Sequence, residues 1–157
     1  MKALIEVREV AQQQTLTLRT RVLRPGHPPE ARPFGIGEDE ETRHFAAFEG
    51  EEVVGACYIV RRAAPFDSLS WAWQLRGMAV ETSRQGQGIG ARIVERAEEE
   101  ARRAEEEARR AGIEVLWFNA RRVAVGFYAK LGFEPWGEEF DIPVIGPHTV
   151  MWKRLIV

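Results

Sequence analysis

Three glycines alternate with other residues in the segment Arg84-Gln85-Gly86-Gln87-Gly88-Ile89-Gly90-Ala91, just before a long helical pattern. Glycine lets the backbone approach a ligand and take a positive φ without a Cβ clash. The free N–H groups at the start of the following helix favour an anion. The first helical turn carries no Asp or Glu, and Arg84 and Arg92 add positive charge around it. The segment therefore predicts an anion-binding site.

The spacing of these glycines distinguishes this segment from two familiar phosphate-binding turns. A Rossmann dinucleotide site requires G-x-G-x-x-G, and a P-loop requires Gly-Lys followed by Ser or Thr. This segment reads G-x-G-x-G and no Gly-Lys follows it. We therefore do not expect a nicotinamide-dependent oxidoreductase, and the predicted ligand is a pyrophosphate in another setting.

The elements on both sides of the glycine segment predict a βαβ unit. The pattern indicates a strand over 69–80, a helix over 88–111 that ends at Gly112, and an apolar strand over 113–118. The right-handed crossover rule makes the two strands parallel and places the glycine segment at a strand's carboxyl end, where ligands bind in open α/β sheets. Gly77 interrupts the first strand and predicts a bulge beside the segment.

The helix contains an exact duplication, because residues 96–102 recur as residues 103–109. Seven residues fall about 20° short of two turns, so the inserted heptad keeps the same face inward. The predicted buried stripe consists of alanines, namely Ala97, Ala101, Ala104, Ala108 and Ala111. Glutamates and arginines at i,i+4 spacing fill the rest of the helix, which predicts a solvated face, with a partner-binding helix as the alternative.

The rest of the pattern predicts a mixed α/β fold with a mostly antiparallel sheet around the central parallel pair. The other predicted elements are a strand over 3–7, a helix over 10–23, a surface loop over 24–41, a hairpin of 43–48 with 52–61, a helix over 119–131, and two strands over 133–142 and 149–157. A chain of 157 residues predicts a single domain over 1–157.

Composition excludes several classes of function. The net charge of −2 and the mixed distribution of charges argue against nucleic-acid binding. No apolar run reaches about 18 residues, so we expect no membrane span, and the amino terminus does not resemble a signal peptide. The single cysteine, Cys57, lies in an apolar run and is expected to be a buried thiol, not an acyl-carrying nucleophile. We predict a cytoplasmic protein.

Two segments resemble the GNAT superfamily of acyl-coenzyme A dependent N-acyltransferases. Residues 85–90, QGQGIG, match its Q/R-x-x-G-x-G/A pyrophosphate motif. Asn119-Ala120-Arg121, Ala124 and the segment 127–133, FYAKLGF, look like the pattern after its fifth strand. The order of predicted elements agrees over nearly the whole chain, and removing one heptad copy gives a helix of the usual family length. The resemblance implies the GNAT fold, with the fourth and fifth strands splayed apart.

The resemblance also implies where acetyl-coenzyme A would bind. Met78, Ala79 and Val80 would offer backbone groups to the pantetheine arm, which enters the gap between the splayed strands beside Gly77. Residues 85–91 would hold the pyrophosphate, and Asn119 would contact the cofactor.

Acyl transfer from a thioester to an amine requires a proton donor and a proton acceptor. The thiolate leaves more easily if an acid protonates it, and Tyr128, which keeps its proton at neutral pH, matches the family's general acid. The alternative for Tyr128 is a structural residue that closes its helix onto the sheet. Gln74 stands where histone-type members of the family carry a glutamate base, and an amide cannot take up a proton. The remaining candidates for the base are Glu81, His44, Glu138, Asp141 and His148, or a chain of water.

His148 is the favoured base, because Gly146-Pro147-His148 resembles a Gly-Ile-Pro-His signature of one subgroup. The sequence therefore predicts an N-acetyltransferase that moves an acetyl group from acetyl-coenzyme A directly to a primary amine, without a metal or a covalent intermediate. A homodimer is plausible from family habit. The alternative function is a noncatalytic coenzyme A sensor.

Overall fold

The computed structural model describes residues 4–26, 40–66, 71–108 and 114–155, and these ranges contain seven strands and three α-helices. The strands are β1 Ile5–Val10, β2 Thr42–Glu49, β3 Glu52–Arg61, β4 Trp71–Val80, β5 Glu114–Arg121, β6 Glu134–Ile142 and β7 Gly146–Leu155. The helices are α1 Gln13–Leu23, α2 Ile89–Ala108 and α3 Val125–Lys130.

The strands are hydrogen-bonded in the order β1-β2-β3-β4-β5-β7-β6, and the pair β4–β5 is parallel in a mostly antiparallel sheet. The parallel pairs run from Trp71 with Glu114 to Gln74 with Trp117. In the described part of β4 and β5 no pairing follows Gln74, although β4 continues to Val80. The α/β fold class predicted from the sequence is confirmed, including the parallel pair that the crossover rule requires.

Contacts group the chain into two compact units, and the first consists of residues 1–61 and 75–100. Its strands β1, β2 and β3 pair antiparallel, with a register shift between Ala47 and Phe48. The start of α2 lies against β3, since a Cβ added to Gly55 would come within 2.6 Å of Ile93 and 3.3 Å of Ile89. This close packing fixes the beginning of α2, where the glycine segment ends.

The second unit consists of residues 62–74 and 101–157. β5 pairs antiparallel with β7 along its whole length, from Glu114 with Leu155 to Arg121 with His148. β7 also pairs with β6, which is the last strand in the sheet order and is exposed along most of its length. A buried cluster on this unit contains Ala64, Ala72, Val115, Trp117 and Val150. The prediction of one domain over residues 1–157 stays a prediction.

Several predicted boundaries are wrong. β5 continues through residues 119–121, which were expected to begin a helix, and a 3₁₀ turn precedes α3. This alters the setting of Asn119, which lies within the strand and not at a helix start. β7 begins at Gly146 and not at Thr149, so the turn before it is three residues shorter than predicted. β1 begins at Ile5, two residues later than predicted, and α1 begins at Gln13, three residues later than predicted.

The long helix α2 confirms part of the predicted pattern. Ala97 and Ala101 are fully buried, and Ala104 is half-buried. The prediction of a solvated charged face is wrong for Glu98 and Glu100, which are buried. The later members of the stripe, the end of the second heptad and Gly112 lie outside the residues whose side chains are described, as does most of the predicted loop over 24–41. No helix in the described ranges is long and apolar enough to span a membrane.

Candidate active site

The glycine segment forms an exposed turn between β4 and α2 in the first unit. Gly86 and Gly88 both have φ of +80°, a left-handed conformation that other residues rarely adopt. A Cβ added at either position would meet nothing within 4 Å. The glycines are therefore required by the backbone conformation and not by crowding, and the turn faces open space.

The helix α2 follows the turn, and its first residue is buried. Ile89 is the first residue of α2 and is buried, and the first turn of α2 contains no acidic residue. The first N–H groups of a helix have no intrahelical partner and carry the positive end of the helix dipole. Residues 85–91 thus form one continuous segment that leads from the turn into the positive end of α2.

The end of β4 leads into this turn through an irregular backbone. Gly77 has φ of +61° within the strand, which fits the bulge predicted there. Beyond it, Ala79 is buried while Met78 and Val80 are half-buried. The Gln85 side-chain amide donates a hydrogen bond of 3.2 Å to the Val80 carbonyl oxygen. The segment 78–80 and the glycine turn are thus joined directly.

Two side chains that the sequence did not indicate pack against Gly77. A Cβ added there would lie 2.8 Å from Cδ of Arg19 and 2.8 Å from Cε1 of Tyr58. The Arg19 guanidinium also lies over the Tyr58 ring, 5.2 Å from its centroid. These contacts join α1, β3 and β4, and no local pattern in the sequence could have paired residues so far apart.

His44, one of the candidate bases, belongs to this cluster. Its ring stacks on Tyr58 at 5.1 Å between centroids, and both ring nitrogens are buried with no hydrogen-bond partner in the described part of the chain. Burial, together with the nearby charge of Arg19, lowers the pKa of His44 to about 4. His44 is therefore neutral at neutral pH, and a low pKa makes it a poor acceptor for an ammonium proton.

Tyr128, the predicted general acid, lies on α3 in the second unit and is 7% exposed. Its ring packs at 4.1 Å from Phe118 on β5 and at 6.0 Å from Phe133. The strand and the short helix thus hold the phenol ring in one place. Asn119 follows Phe118 and is exposed.

His148, the favoured base, is buried on β7 in the same unit. Its Nδ1 lies 2.7 Å from the Gly146 carbonyl oxygen, which can only accept a hydrogen bond. Nδ1 is therefore the protonated nitrogen of the neutral ring, and Nε2 is left as the acceptor. The Phe140 ring lies 6.2 Å from the imidazole.

Other candidate bases have different surroundings. Glu81 is paired with Arg21, and Glu138 and Asp141 are exposed on β6. Gln74 is buried, and its Oε1 accepts a hydrogen bond of 3.3 Å from Arg62. This amide is held by a neighbour in the position where the resemblance gives histone-type members a glutamate base.

Cys57 is fully buried on β3, and burial raises the pKa of its thiol. A thiol that resists ionisation and lacks access to solvent is a poor nucleophile. The prediction of a core thiol is confirmed.

Comparison with known proteins identifies the class to which this fold and glycine turn belong. A family model described as an acetyltransferase (GNAT) domain matches residues 40–135 of the chain. An uncharacterized N-acetyltransferase of Bacillus subtilis (strain 168), YitI, is 31% identical over 152 residues, with 97% of each chain covered. The protein belongs to the GNAT acetyltransferase family and is an acyltransferase.

Solved structures agree with this fold. Escherichia coli ElaA superposes with a TM-score of 0.67 at 18% identity, covering 96% of this chain and 99% of that one. An aminoglycoside 6′-N-acetyltransferase complexed with coenzyme A superposes with a TM-score of 0.65 at 20% identity, covering 97% of this chain and 98% of that one. At these identities the two likenesses show the fold.

Proposed function

We propose that the protein transfers the acetyl group of acetyl-coenzyme A directly to a primary amine. The observation that carries this proposal is the pair of left-handed glycines, Gly86 and Gly88, in open space before the first turn of α2. A pyrophosphate fits this arrangement, because its charge complements the free N–H groups and the positive helix end. Residues 85–91 would hold it, and the segment 78–80 would accept the pantetheine arm.

The reaction has two proton transfers, and the chain offers a residue for each. Bound acetyl-coenzyme A supplies the thioester and a thiolate leaving group. Tyr128 would donate its phenolic proton to that sulfur, and Nε2 of His148 would accept a proton from the attacking amine. Asn119, exposed beside Phe118, would contact the acyl donor. A general acid or base of this kind contributes about 10²-fold or more to the rate.

Donor binding and acyl transfer can be tested separately. Thermal shift should show stabilisation by acetyl-coenzyme A and by coenzyme A, about 2.7 kcal/mol at a hundredfold excess over Kd. Thiol release with a panel of small amines, amino acids and peptide amino termini should then exceed the rate without amine for at least one class. A protein that binds coenzyme A tightly but never releases thiol above this background would contradict the acetyltransferase proposal and favour a sensor. The homodimer and the cytoplasmic location stay predictions.

A further inference from the structure

The turn between β4 and the glycine segment is tied to three other elements of the first unit. The backbone N–H of Glu81 donates a hydrogen bond to the Val54 carbonyl oxygen on β3. The backbone N–H of Arg84 donates one to the Glu81 carbonyl oxygen, and both N···O distances are 2.8 Å. The Glu81 carboxylate also pairs with Arg21 on α1. These bonds anchor the turn before the chain reaches Gly86.

The third tie is an ion pair between Arg84 and Glu49, the last residue of β2. Nη2 of the guanidinium donates a hydrogen bond of 2.6 Å to Oε1, and Nη1 lies 2.5 Å from Oε2 as an ion-pair contact without hydrogen-bond geometry. The two side chains are 29% and 24% exposed. A partly buried ion pair with a hydrogen bond restricts its two side chains more than a fully exposed pair does.

Such anchoring matters because the residues that follow Arg84 have few contacts that fix their backbone conformation. Gly86 and Gly88 have no Cβ and no neighbour within 4 Å of where one would be. Glycine loses more backbone entropy on ordering than any other residue. A turn without anchors would lose this entropy only when a ligand binds, which would weaken its affinity for that ligand. A turn already fixed at Arg84 presents its N–H groups in the binding geometry beforehand.

We propose that Glu49 is a positioning residue that preorganises the glycine turn for the pyrophosphate by holding Arg84. This inference rests on the proposed binding of coenzyme A. The inference changes the role of Arg84, because its sequence position suggests that its positive charge acts directly on the anionic ligand. In the structure this charge is balanced by Glu49, and the helix end and free N–H groups remain to attract the anion.

The positioning role of Glu49 can be distinguished from a purely electrostatic effect of its charge on coenzyme A binding. Removing the Glu49 charge would, by field alone, strengthen binding of an anion nearby. A positioning role predicts the opposite, namely that Glu49→Gln and Arg84→Gln each raise the coenzyme A Kd about fivefold or more. Glu49→Asp keeps the charge but shortens the side chain, so it should also raise the Kd.

The decisive variant is the charge swap Glu49→Arg with Arg84→Glu, measured by isothermal titration calorimetry with coenzyme A. The swap restores the pair and should return the Kd to within about threefold of the wild type. Glu6→Gln, which breaks an exposed ion pair of 2.9 Å with Arg8 elsewhere in the unit, should not change the Kd. With acetyl-coenzyme A as the varied substrate, the single variants should raise KM for the donor and leave kcat, the rate at saturating donor, nearly unchanged.

Two results would overturn the inference. If the swap binds more weakly than either single variant, Arg84 meets the phosphates directly. If the single variants bind like the wild type, the ion pair does not position the turn. A folded wild type that fails to bind coenzyme A would instead refute the proposed function, and the inference with it, so the two failures are distinguishable.

Discussion

Tyr128 and His148 lie on opposite faces of the β5–β7 ladder. The Tyr128 ring packs at 4.1 Å from Phe118, and Phe118 pairs directly with Met151. His148 is three residues from Met151 in a strand whose register with β5 has no irregularity. Because side chains alternate between faces, His148 must project from the other side of the ladder.

The opposite placement has a mechanistic consequence. Tyr128 and His148 cannot form a directly hydrogen-bonded acid–base couple, so neither can pass its proton straight to the other. If both serve the proposed reaction, the acid and the base act on separate atoms, one on the leaving sulfur and one on the amine. Each should then be removable without changing the step that the other performs.

The first prediction concerns the acid. Tyr128→Phe keeps the ring that packs on Phe118 and removes only the hydroxyl, so kcat should fall by about 10²-fold while the coenzyme A Kd stays unchanged. Tyr58→Phe removes the other tyrosine hydroxyl in the chain and is the matched control, with a much smaller expected loss of kcat. Steady-state kinetics and calorimetry measure the two quantities. An unchanged kcat in Tyr128→Phe would remove this residue from the mechanism.

The second prediction concerns the base. His148→Ala should abolish the acidic limb of the pH profile of kcat/KM, because that limb reports the free enzyme's essential base. Tyr128→Phe should lower the rate but leave that limb in place. If His148→Ala retains the wild-type acidic limb, another group or a chain of water accepts the amine's proton.

The third prediction contrasts two left-handed glycines. Gly77→Ala and Gly88→Ala share the strain of a positive φ, about 1–3 kcal/mol. Only at Gly77 would the new Cβ collide, at 2.8 Å from both Tyr58 and Arg19, so Gly77→Ala should cost about 1–3 kcal/mol more in the free energy of unfolding. Gly88→Ala should instead mainly weaken coenzyme A binding. Urea denaturation and calorimetry separate the two effects, and equal losses of stability would contradict the predicted collision.

Local patterns predicted the parts of the site that depend on few neighbouring residues. The alternating glycines and the strand–helix–strand order were enough to place the turn and the parallel pair, since both follow from backbone geometry. Boundaries were less accurate where two conformations compete, as at Asn119. There, continued pairing with Val150 on β7 keeps the chain in a strand, and no signal within the segment itself reports that partner.

Long-range contacts could not be predicted from one sequence. Glu100 belongs to a charged heptad and was expected in solvent, yet it is buried and paired with Arg43 on β2 at 3.1 Å and with Arg96. The repeat gives no sign that this glutamate differs from its neighbours, because the difference comes from its ion pair with Arg43 on another element, β2. The Glu49–Arg84 pair was missed for the same reason.

The last prediction concerns His44 and acid stability. The pKa of His44 is about 4 in the folded protein, against an ordinary value of about 6.5. Between these two pH values the unfolded chain binds a proton at this residue and the folded protein does not. This contribution to the free energy of unfolding is fully present above about pH 6.5 and is lost as the pH falls towards 4. His44→Phe should keep the stack on Tyr58 and flatten this part of the curve of Tm against pH. A variant whose Tm falls as steeply as the wild type between pH 6.5 and 4 would show that other groups control the acid sensitivity.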